Sequence, residues 1–196
     1  MRYPAAHKEE TRRRILAAAS EAFRERGVEG TGVDLIMRRA GLTHGGFYAH
    51  FSDKSALVAE ACTQVFEDAV INLERISSQP SAAKRARILV DSYLSNRHRD
   101  NRGSGCLVVA VAADMARLDG PGKAAFAKGF ETHLERLGRA LRLSDDPTEN
   151  RDRVTHLMAT LVGALLMARS VDDPVRSDAL LSSSRRMLRR EFSTPL

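Results

Sequence analysis

The sequence is poor in the residues that mark secreted, metal-binding and aromatic-rich proteins. Its 196 residues include two cysteines, no tryptophan and only 5% aromatic residues. Cys62 and Cys106 lie far apart, and neither has a second thiol or a histidine at the spacing of a metal site. This pattern argues against a zinc site and a disulfide framework and predicts two free thiols. We therefore expect no metal and no cofactor.

Long apolar runs are also missing. No stretch of about 18 apolar residues is present, and the segment MRYPAAHKEETRRR is charged where a signal peptide needs apolar residues. We therefore expect a cytoplasmic protein with no membrane partner. The composition is globular, with 43% hydrophobic residues, and the formal net charge of +6 permits a polyanionic partner.

Apolar residues recur every three or four positions along the chain, which is the spacing of amphipathic helices. Over residues 8–26 this pattern predicts a first helix, ended by Gly27 in a left-handed conformation. A second helix is predicted to begin near Thr31 or Gly32 and to end at Gly41.

Two hydroxyl residues are placed to cap the next helices. Thr43 is predicted to cap a short third helix, and Ser52 a fourth helix that begins around Asp53 and runs to about Ser77. Further helices are predicted at about 82–98, 105–118, 121–142, 149–171 and 175–191. Because no run alternates in the manner of a strand, the fold should be all-α.

The stretch GLTHGGFYAHF, which contains the third helix, departs from helix propensity. Gly45 and Gly46 each cost roughly 1 kcal/mol against alanine inside a helix. Two helices joined by a glycine-containing turn form a helix-turn-helix pattern, whose second helix enters the DNA major groove. Glycine there lets the backbone approach bases closely. The alternative, that the glycines only mark a loop, fits the flanking helix signals less well.

Side chains around the glycines divide between core and DNA. Phe47 and Phe51, four residues apart, share the face that packs on the first two helices. His44, at the leading end, is the candidate for touching a base edge. The residues with hydroxyl, imidazole or ammonium groups suited to DNA phosphates are Thr43, Tyr48, His50 and Lys54. A core histidine at 50 and an ordinary solvated lysine at 54 remain alternatives.

Residues 8–66 resemble the N-terminal domain of the TetR/AcrR family of bacterial transcriptional regulators. The resemblance rests on TRRRILAAASEAFRERG, GTGVDLIMRRAGLTHGGFYAHF and SDKSALVAEA in this order. It implies an N-terminal three-helix helix-turn-helix DNA-binding domain, joined by a long helix to a C-terminal helical ligand-binding and dimerisation domain at 67–196. It also implies a homodimer that binds a palindromic double-stranded DNA operator, usually represses, and is released by a small-molecule effector, here unknown.

By this resemblance, residues at phosphate-contacting positions are Thr31, Thr43, Tyr48, His50 and Lys54. The groove-facing positions are His44, Gly45 and Gly46. The sequence departs from the family pattern at three of its positions. The family often has lysine at the position of His44, a small or hydroxyl residue at that of Gly46, and glutamate at that of Ser55. We therefore expect base contacts to depend on His44 and on the backbone.

The last two predicted helices have an apolar surface wider than a single stripe. Part of it should face the subunit core and part a second copy, in the four-helix interface that the resemblance implies. The candidate interface residues are Leu161, Leu165, Leu181 and Leu188. The candidates for the ligand pocket, which the family places among the middle helices, are Phe66, Tyr93, Met115, Phe126 and Phe130. An ordinary core role remains the alternative for both sets.

Cys106, in RGSGCLVV, lies in the first turn of a predicted helix. The helix dipole would favour its thiolate there, and Arg99 and Arg102 are close in sequence. Gly-Cys-Leu at this place resembles a subgroup of the family in which a cysteine senses electrophiles or oxidants. The alternative is a small buried helix residue. Cys62 is expected to be structural.

The sequence thus predicts a DNA-binding transcriptional regulator, a repressor released by a small molecule or by modification of Cys106. An enzyme is disfavoured because no nucleophile-base pair, metal spacing or phosphate-binding loop is found. A non-regulatory DNA-binding protein, which would need only the first 66 residues and would show no operator preference, remains the alternative.

Overall fold

The computed structural model describes residues 5–69 and 71–192, and these residues form helices joined by turns, without a strand. The prediction of an all-α fold is confirmed. The elements are α1 (Ala5–Arg26), α2 (Val33–Arg39), a 3-10 helix (His44–Ala49), α3 (Lys54–Asp68), α4 (Ile71–Ser77), α5 (Ala82–Tyr93), α6 (Asn96–Asp100), α7 (Leu107–Arg117), α8 (Pro121–Leu141), α9 (Pro147–Arg169) and α10 (Pro174–Glu191).

The chain divides into two compact units. The first unit extends to Glu67 and also includes Arg102–Gly129, and the second consists of Asp68–Asn101 and the residues from Phe130 onward. The predicted domains, 8–66 and 67–196, stay a prediction. The structure adds α7 and the start of α8 to the unit that contains the helix-turn-helix.

The core of the first unit forms around α1. Ile15, Ala19 and Phe23, spaced by four residues, are at most 1% exposed, and α1 packs against α2 and α7. Gly27 ends α1 with φ of +74°, the left-handed conformation predicted for it. Only glycine adopts such a conformation without steric cost.

The start of α3 differs from the prediction. The Asp53 carboxylate accepts a hydrogen bond from the Ala56 N–H at 2.8 Å, whereas the Ser52 hydroxyl donates to Asp53 at 3.1 Å. Asp53 therefore caps the helix, and Ser52 supports the cap. The bond from Ala56, followed by the bond from Ser52, lowers the pKa of Asp53 below its ordinary value. The carboxylate also suits the positive end of the helix dipole.

Two predicted long helices are each divided. The helix expected from Asp53 to Ser77 is described as α3, ending at Asp68, and α4, beginning at Ile71, and residue 70 lies outside the described residues. The helix expected over 82–98 ends at Tyr93, and Ser95 caps the short α6 by accepting the His98 N–H at 3.2 Å. A Ser that competes for a nearby backbone N–H ends one helix and begins another.

In the second unit, α9 packs against α10 and α6. The Arg99 guanidinium binds the Asp178 carboxylate at 2.5 Å and the Ser177 hydroxyl at 3.0 Å, which joins α6 to α10. The Arg169 guanidinium donates to the backbone oxygens of His98 at 2.7 Å and of Arg99 at 3.1 Å, which joins α9 to α6. These bonds explain how so short a helix as α6 keeps its place.

The predicted dimer-interface residues are inside the subunit. Leu161, Leu165 and Leu181 are 0% exposed and Leu188 is 2% exposed within the single chain. Side chains covered to this extent within one chain leave almost no surface for a second copy, so the structure does not support the predicted interface role of these four leucines. They fill the core between α9 and α10 instead.

Among the described helices, none is long and apolar enough to cross a membrane.

Candidate nucleic-acid interface

Residues 43–51, which we name the recognition segment, contain the 3-10 helix His44–Ala49 where the sequence predicted an unspecified short helix. Two of its backbone hydrogen bonds connect residues three apart, from the Gly46 N–H to the Thr43 oxygen at 3.1 Å and from the His50 N–H to the Phe47 oxygen at 2.9 Å. The Phe51 N–H bonds the Phe47 oxygen, four residues back, at 3.1 Å. Thr43 lies at the predicted cap position, but its side chain makes no cap hydrogen bond. Its hydroxyl is therefore not committed to the helix end.

Two phenylalanines anchor the recognition segment. Phe47 and Phe51 are 0% and 3% exposed, and their rings stack with centroids 5.7 Å apart. Thr43, His44 and Tyr48 are exposed on the other side of the segment. Tyr48 is 65% exposed, and its ring rests edge-on against that of Phe47 with centroids 5.2 Å apart. The division between core and outward residues follows the prediction.

The glycines are not required by the packing of the chain itself. A Cβ placed on Gly45 would meet no atom within 4 Å, and one on Gly46 would lie 3.6 Å from Met37 Cε, an ordinary contact. Neither glycine has the left-handed φ found at Gly27 and Gly41. The fold would therefore accept alanine at both positions, and it offers no internal reason for glycine. Close approach of DNA, which a glycine would permit, stays a prediction for both positions.

His44 has a partner that sequence reasoning missed. Its Nδ1 lies 2.5 Å from the Asp34 carboxylate, at the start of α2, and both side chains are exposed. The pair orients the imidazole and places a carboxylate beside the candidate base-reading residue. Asp34 lies in the first turn of α2, where acidic residues suit the dipole, so the sequence contained no separate sign of this role.

His50 lies beside two cations of α1. Its Nδ1 is buried and has no hydrogen-bond partner in the described chain. Burial, reinforced by the charges of Lys8 and Arg12, lowers the pKa of His50 below its ordinary value. A neutral imidazole would contact a phosphate by hydrogen bonding, and the nearby cations would supply the charge. Arg12 itself pairs with Glu60 and lies 4.6 Å from the centre of the Phe51 ring.

Lys54 and Thr31 are directed towards the protein. The Lys54 ammonium donates to the Val28 oxygen at 2.6 Å, and burial is the main reason that the pKa of Lys54 is lowered. Thr31 is 0% exposed, and its hydroxyl donates to the Gly27 oxygen at 2.6 Å. A buried hydroxyl that is already bonded cannot reach a phosphate, so the predicted side-chain contact of Thr31 is not supported.

The five ligand-pocket candidates are distributed over both units. In the first, Phe66 packs edge-on against Phe126 with ring centroids 5.7 Å apart, and Met115 is buried. In the second, Tyr93 is mostly buried, and Phe130 is half-buried. Each unit thus contributes apolar side chains of the kind that line ligand sites. Their assignment to one pocket stays a prediction.

The two cysteines differ in their surroundings. Cys106 is the N-cap residue of α7, one position before the predicted first turn, and is half-buried. Cys62 is buried in α3, and burial raises the pKa of its thiol to about 12. Cys62 therefore stays a thiol at neutral pH, in keeping with a structural role. No cluster of three or more metal-ligating side chains is found in the described ranges.

Comparison with known families decides the identity of the chain. Residues 15–61 match the bacterial regulatory proteins of the tetR family, and residues 82–183 match the tetracyclin repressor-like C-terminal domain. The chain belongs to the TetR family. Within this family, the prediction of a DNA-binding helix-turn-helix regulator of transcription is confirmed, and so is the prediction that the chain is not an enzyme.

The sequence of this TetR-family chain is similar to those of other transcriptional regulators. It is 49% identical over 53 residues to the transcriptional regulator SrpR of Pseudomonas putida, a match that covers 27% of this chain and 25% of SrpR. It is 25% identical over 134 residues to the transcriptional repressor NemR of Escherichia coli, covering 67% of each. The chain thus spans about a quarter of the length of SrpR.

Solved structures show the same fold over nearly the whole chain. The reduced form of E. coli NemR superposes with a TM-score of 0.76 at 22% identity, covering 92% of this chain and 96% of NemR. AibR, solved with isovaleryl coenzyme A and operator DNA, gives a TM-score of 0.64 at 19% identity, covering 95% of this chain and 100% of AibR.

Proposed function

We propose that this TetR-family regulator is a repressor that binds a palindromic operator as a homodimer. The observation that carries the proposal is the outward face of the recognition segment, where Gly45 has open space in front of it and His44 and Tyr48 are exposed. The support from relatives is that NemR is a repressor and that AibR was solved on operator DNA. Thr43 and His50 complete the proposed DNA contacts.

A second copy of the chain is the proposed partner for α9 and α10. The described chain leaves large apolar side chains exposed on these helices: Leu166 at 48%, Met167 at 52%, Val175 at 77% and Met187 at 61%. They replace the four buried leucines as proposed interface residues. A dimer would present two recognition segments to half-sites about one turn of DNA, roughly 34–36 Å, apart.

Release from the operator is proposed to follow binding of a small molecule or modification of Cys106. The buried and half-buried aromatic residues Phe66 and Phe126 are candidates for contact with an apolar effector. Cys106 is half-buried at the N-cap position of α7. In support, AibR was solved with isovaleryl coenzyme A and NemR in a reduced form.

Selection of duplexes from a random pool, followed by footprinting, tests operator binding. We expect a palindromic consensus and an affinity that falls steeply with salt, because Lys and Arg side chains displace condensed counterions. A protein that protects all duplexes equally would be the non-regulatory alternative. Repression is tested by a reporter placed behind the selected operator, and a rise in reporter output on expression would contradict it.

Alkylation with N-ethylmaleimide tests Cys106. Addition of the Cys106 sulfur across the maleimide double bond is expected to release the wild-type protein from the selected duplex. Cys106→Ser should retain the duplex under the same treatment, and Cys62→Ser should behave as wild type because the Cys62 thiol is buried. Equal release of Cys106→Ser and wild type would show that this cysteine is not the sensor.

A further inference from the structure

The turn after α1 is held by side chains from two other elements of the first unit. The Val28 N–H donates to the Asp114 carboxylate of α7 at 2.7 Å, and the Val28 oxygen accepts from the Lys54 ammonium of α3 at 2.6 Å. Both backbone polar groups of one buried residue are thus bonded to charged side chains. Bonds of this kind are among the stronger ones in proteins. We name Asp114, Lys54 and the Val28 backbone the Val28 clamp.

The Asp114 carboxylate is mostly buried and held by neighbouring groups. Its side chain is 13% exposed, and its second oxygen accepts from the Arg117 guanidinium at 2.9 Å. A Cβ on Gly27 would lie 2.6 Å from Asp114 Oδ2, closer than real contacts. The absence of a side chain at Gly27 therefore leaves room for the carboxylate, in addition to allowing the left-handed conformation at the end of α1. Asp114 stands 86 residues beyond Val28 in the sequence.

The Val28 clamp holds the turn that connects α1 to α2. Val28 stands between α1 and α2, and Thr31, three residues further on, is bonded back to Gly27 and Val28. The conformation of this turn sets where α2 begins, and α2 packs directly on the recognition segment. A shift of the turn would therefore displace the helix-turn-helix relative to DNA without altering any residue that faces it.

We infer that Asp114 and Lys54 are positioning residues for DNA binding, which hold the helix-turn-helix through the backbone of Val28 and do not themselves contact phosphate. The inference rests on the proposed operator binding and revises the phosphate role expected for Lys54. The ammonium already has a carbonyl partner inside the unit, and Asp114 lies beyond the segment that resembles DNA-binding domains. Burial, the main cause that lowers the pKa of Lys54, accords with an ammonium directed towards the interior of the unit.

Salt dependence separates the two roles of Lys54. Each phosphate contact contributes about 0.9 to the slope of log affinity against log salt. Lys54→Met should lose about tenfold in affinity for the selected duplex while keeping the wild-type slope. Lys123→Met, which removes one exposed charge from the same unit, is the matched control. A slope smaller by about one in Lys54→Met alone would overturn the inference.

The second arm tests Asp114. Asp114→Ala should lose about tenfold in affinity, and Asp114→Asn, which keeps an oxygen acceptor, should recover most of it. The double variant Asp114→Ala with Lys54→Met should lose less binding free energy than the sum of the two single losses, because both residues act on one turn. Wild-type affinity of Asp114→Ala would overturn the inference. If Asp114→Ala does not fold, the Lys54→Met slope still decides.

Amide exchange gives a readout that needs no DNA. In free protein followed by NMR, the Val28 amide should exchange at least about tenfold faster in Asp114→Ala than in wild type, and near the wild-type rate in Lys123→Met. Unchanged exchange in Asp114→Ala would refute the clamp. If wild type selects no operator, the repressor proposal fails while the exchange experiment still tests the clamp.

Discussion

In the recognition segment two phenylalanines are buried and the residues around them are partly or fully exposed, whereas along α9 every third or fourth residue from Val154 to Ala168 is buried, over about four turns. The segment contains glycines that its own packing does not need. Helix α9 contains leucines that its packing needs at every turn, such as Leu157, Leu161 and Leu165. Where a sequence departs from what stability favours, the departure points to function. Where a sequence has the residues that stability favours, as in α9, residue type does not distinguish core side chains from side chains that contact a partner. Only the exposed fraction in the structure distinguishes them.

The largest expected effect concerns the core of α9. Leu161→Ala, at a position with 0% exposure, should lower the free energy of unfolding by about 2–5 kcal/mol through loss of buried area and creation of a cavity. Urea unfolding measures it. Met187→Ala, at a 61% exposed position, should change subunit stability by less than about 0.5 kcal/mol.

The dependence of unfolding on protein concentration distinguishes a core position from an interface position in the same two variants. Met187→Ala should weaken dimerisation in sedimentation experiments and make unfolding less dependent on protein concentration, because a smaller share of the folded chains is dimeric. A dimer as tight as wild type in Met187→Ala would remove Met187 from the proposed interface. A small effect of Leu161→Ala on unfolding would contradict the buried position of Leu161.

Gly45→Ala should move stability and DNA binding in opposite directions. Because a Cβ at Gly45 meets no atom within 4 Å, alanine should raise the free energy of unfolding by roughly 0.5–1 kcal/mol through its better helix propensity. The same methyl group should lower affinity for the selected duplex about tenfold or more, since it occupies space needed for close approach. Unchanged affinity would show that the glycine has no role at DNA.

Tyr48→Phe should have a smaller effect, confined to DNA. The Tyr48 ring is 65% exposed, so loss of the hydroxyl should leave the urea midpoint unchanged. Loss of one hydrogen bond to phosphate should reduce affinity about fivefold, equivalent to about 1 kcal/mol. Fluorescence anisotropy with the selected duplex measures it. An equal loss for specific and random duplexes is expected, because phosphate contacts do not read sequence.

The smallest expected effect is the pH dependence of stability. Burial is the main cause that lowers the pKa of His50, His98 and His133. In the unfolded chain these groups titrate near about 6.5, so as pH falls through this value the unfolded state takes up protons before the folded state does. The free energy of unfolding should therefore decrease as the pH is lowered from 7 to about 5.5.

Variants assign this pH dependence to one region or the other. His50→Gln should remove the share that belongs to the recognition segment, and His133→Gln a share that belongs to the second unit. Stability that rises on acidification over the same range would contradict the lowered pKa values. The measurement is urea unfolding at several pH values in one buffer system.

Features that depend on neighbours in sequence were predictable. The order of the helices, the left-handed Gly27 and the split of the recognition segment between buried Phe47 and exposed Tyr48 all follow from helical spacing and from glycine's conformational range. The errors made at this level were local, such as the choice of Ser52 over Asp53 as cap, because both side chains accept hydrogen bonds from nearby N–H groups.

Features that depend on distant partners were not predictable from one sequence. Thr31 and Lys54 have residue types suited to phosphate, yet their donors are bonded to Gly27 and Val28. His44, the candidate for touching a base edge, is bonded to Asp34. Side-chain type indicates what a residue is able to bind, whereas the partner is set by which atoms the fold brings within about 3 Å.

By itself the sequence determined that this chain is helical, that it carries a helix-turn-helix, and that its third helix contains two glycines of low helix propensity. Each of these features depends on the pattern of a few neighbouring residues. Only the tertiary structure decided which leucines of α9 and α10 are interior, and that Asp114 and Lys54 meet at the backbone of Val28. Such contacts join residues far apart in the chain. Their geometry comes from the packing of whole helices and leaves no local pattern in the sequence.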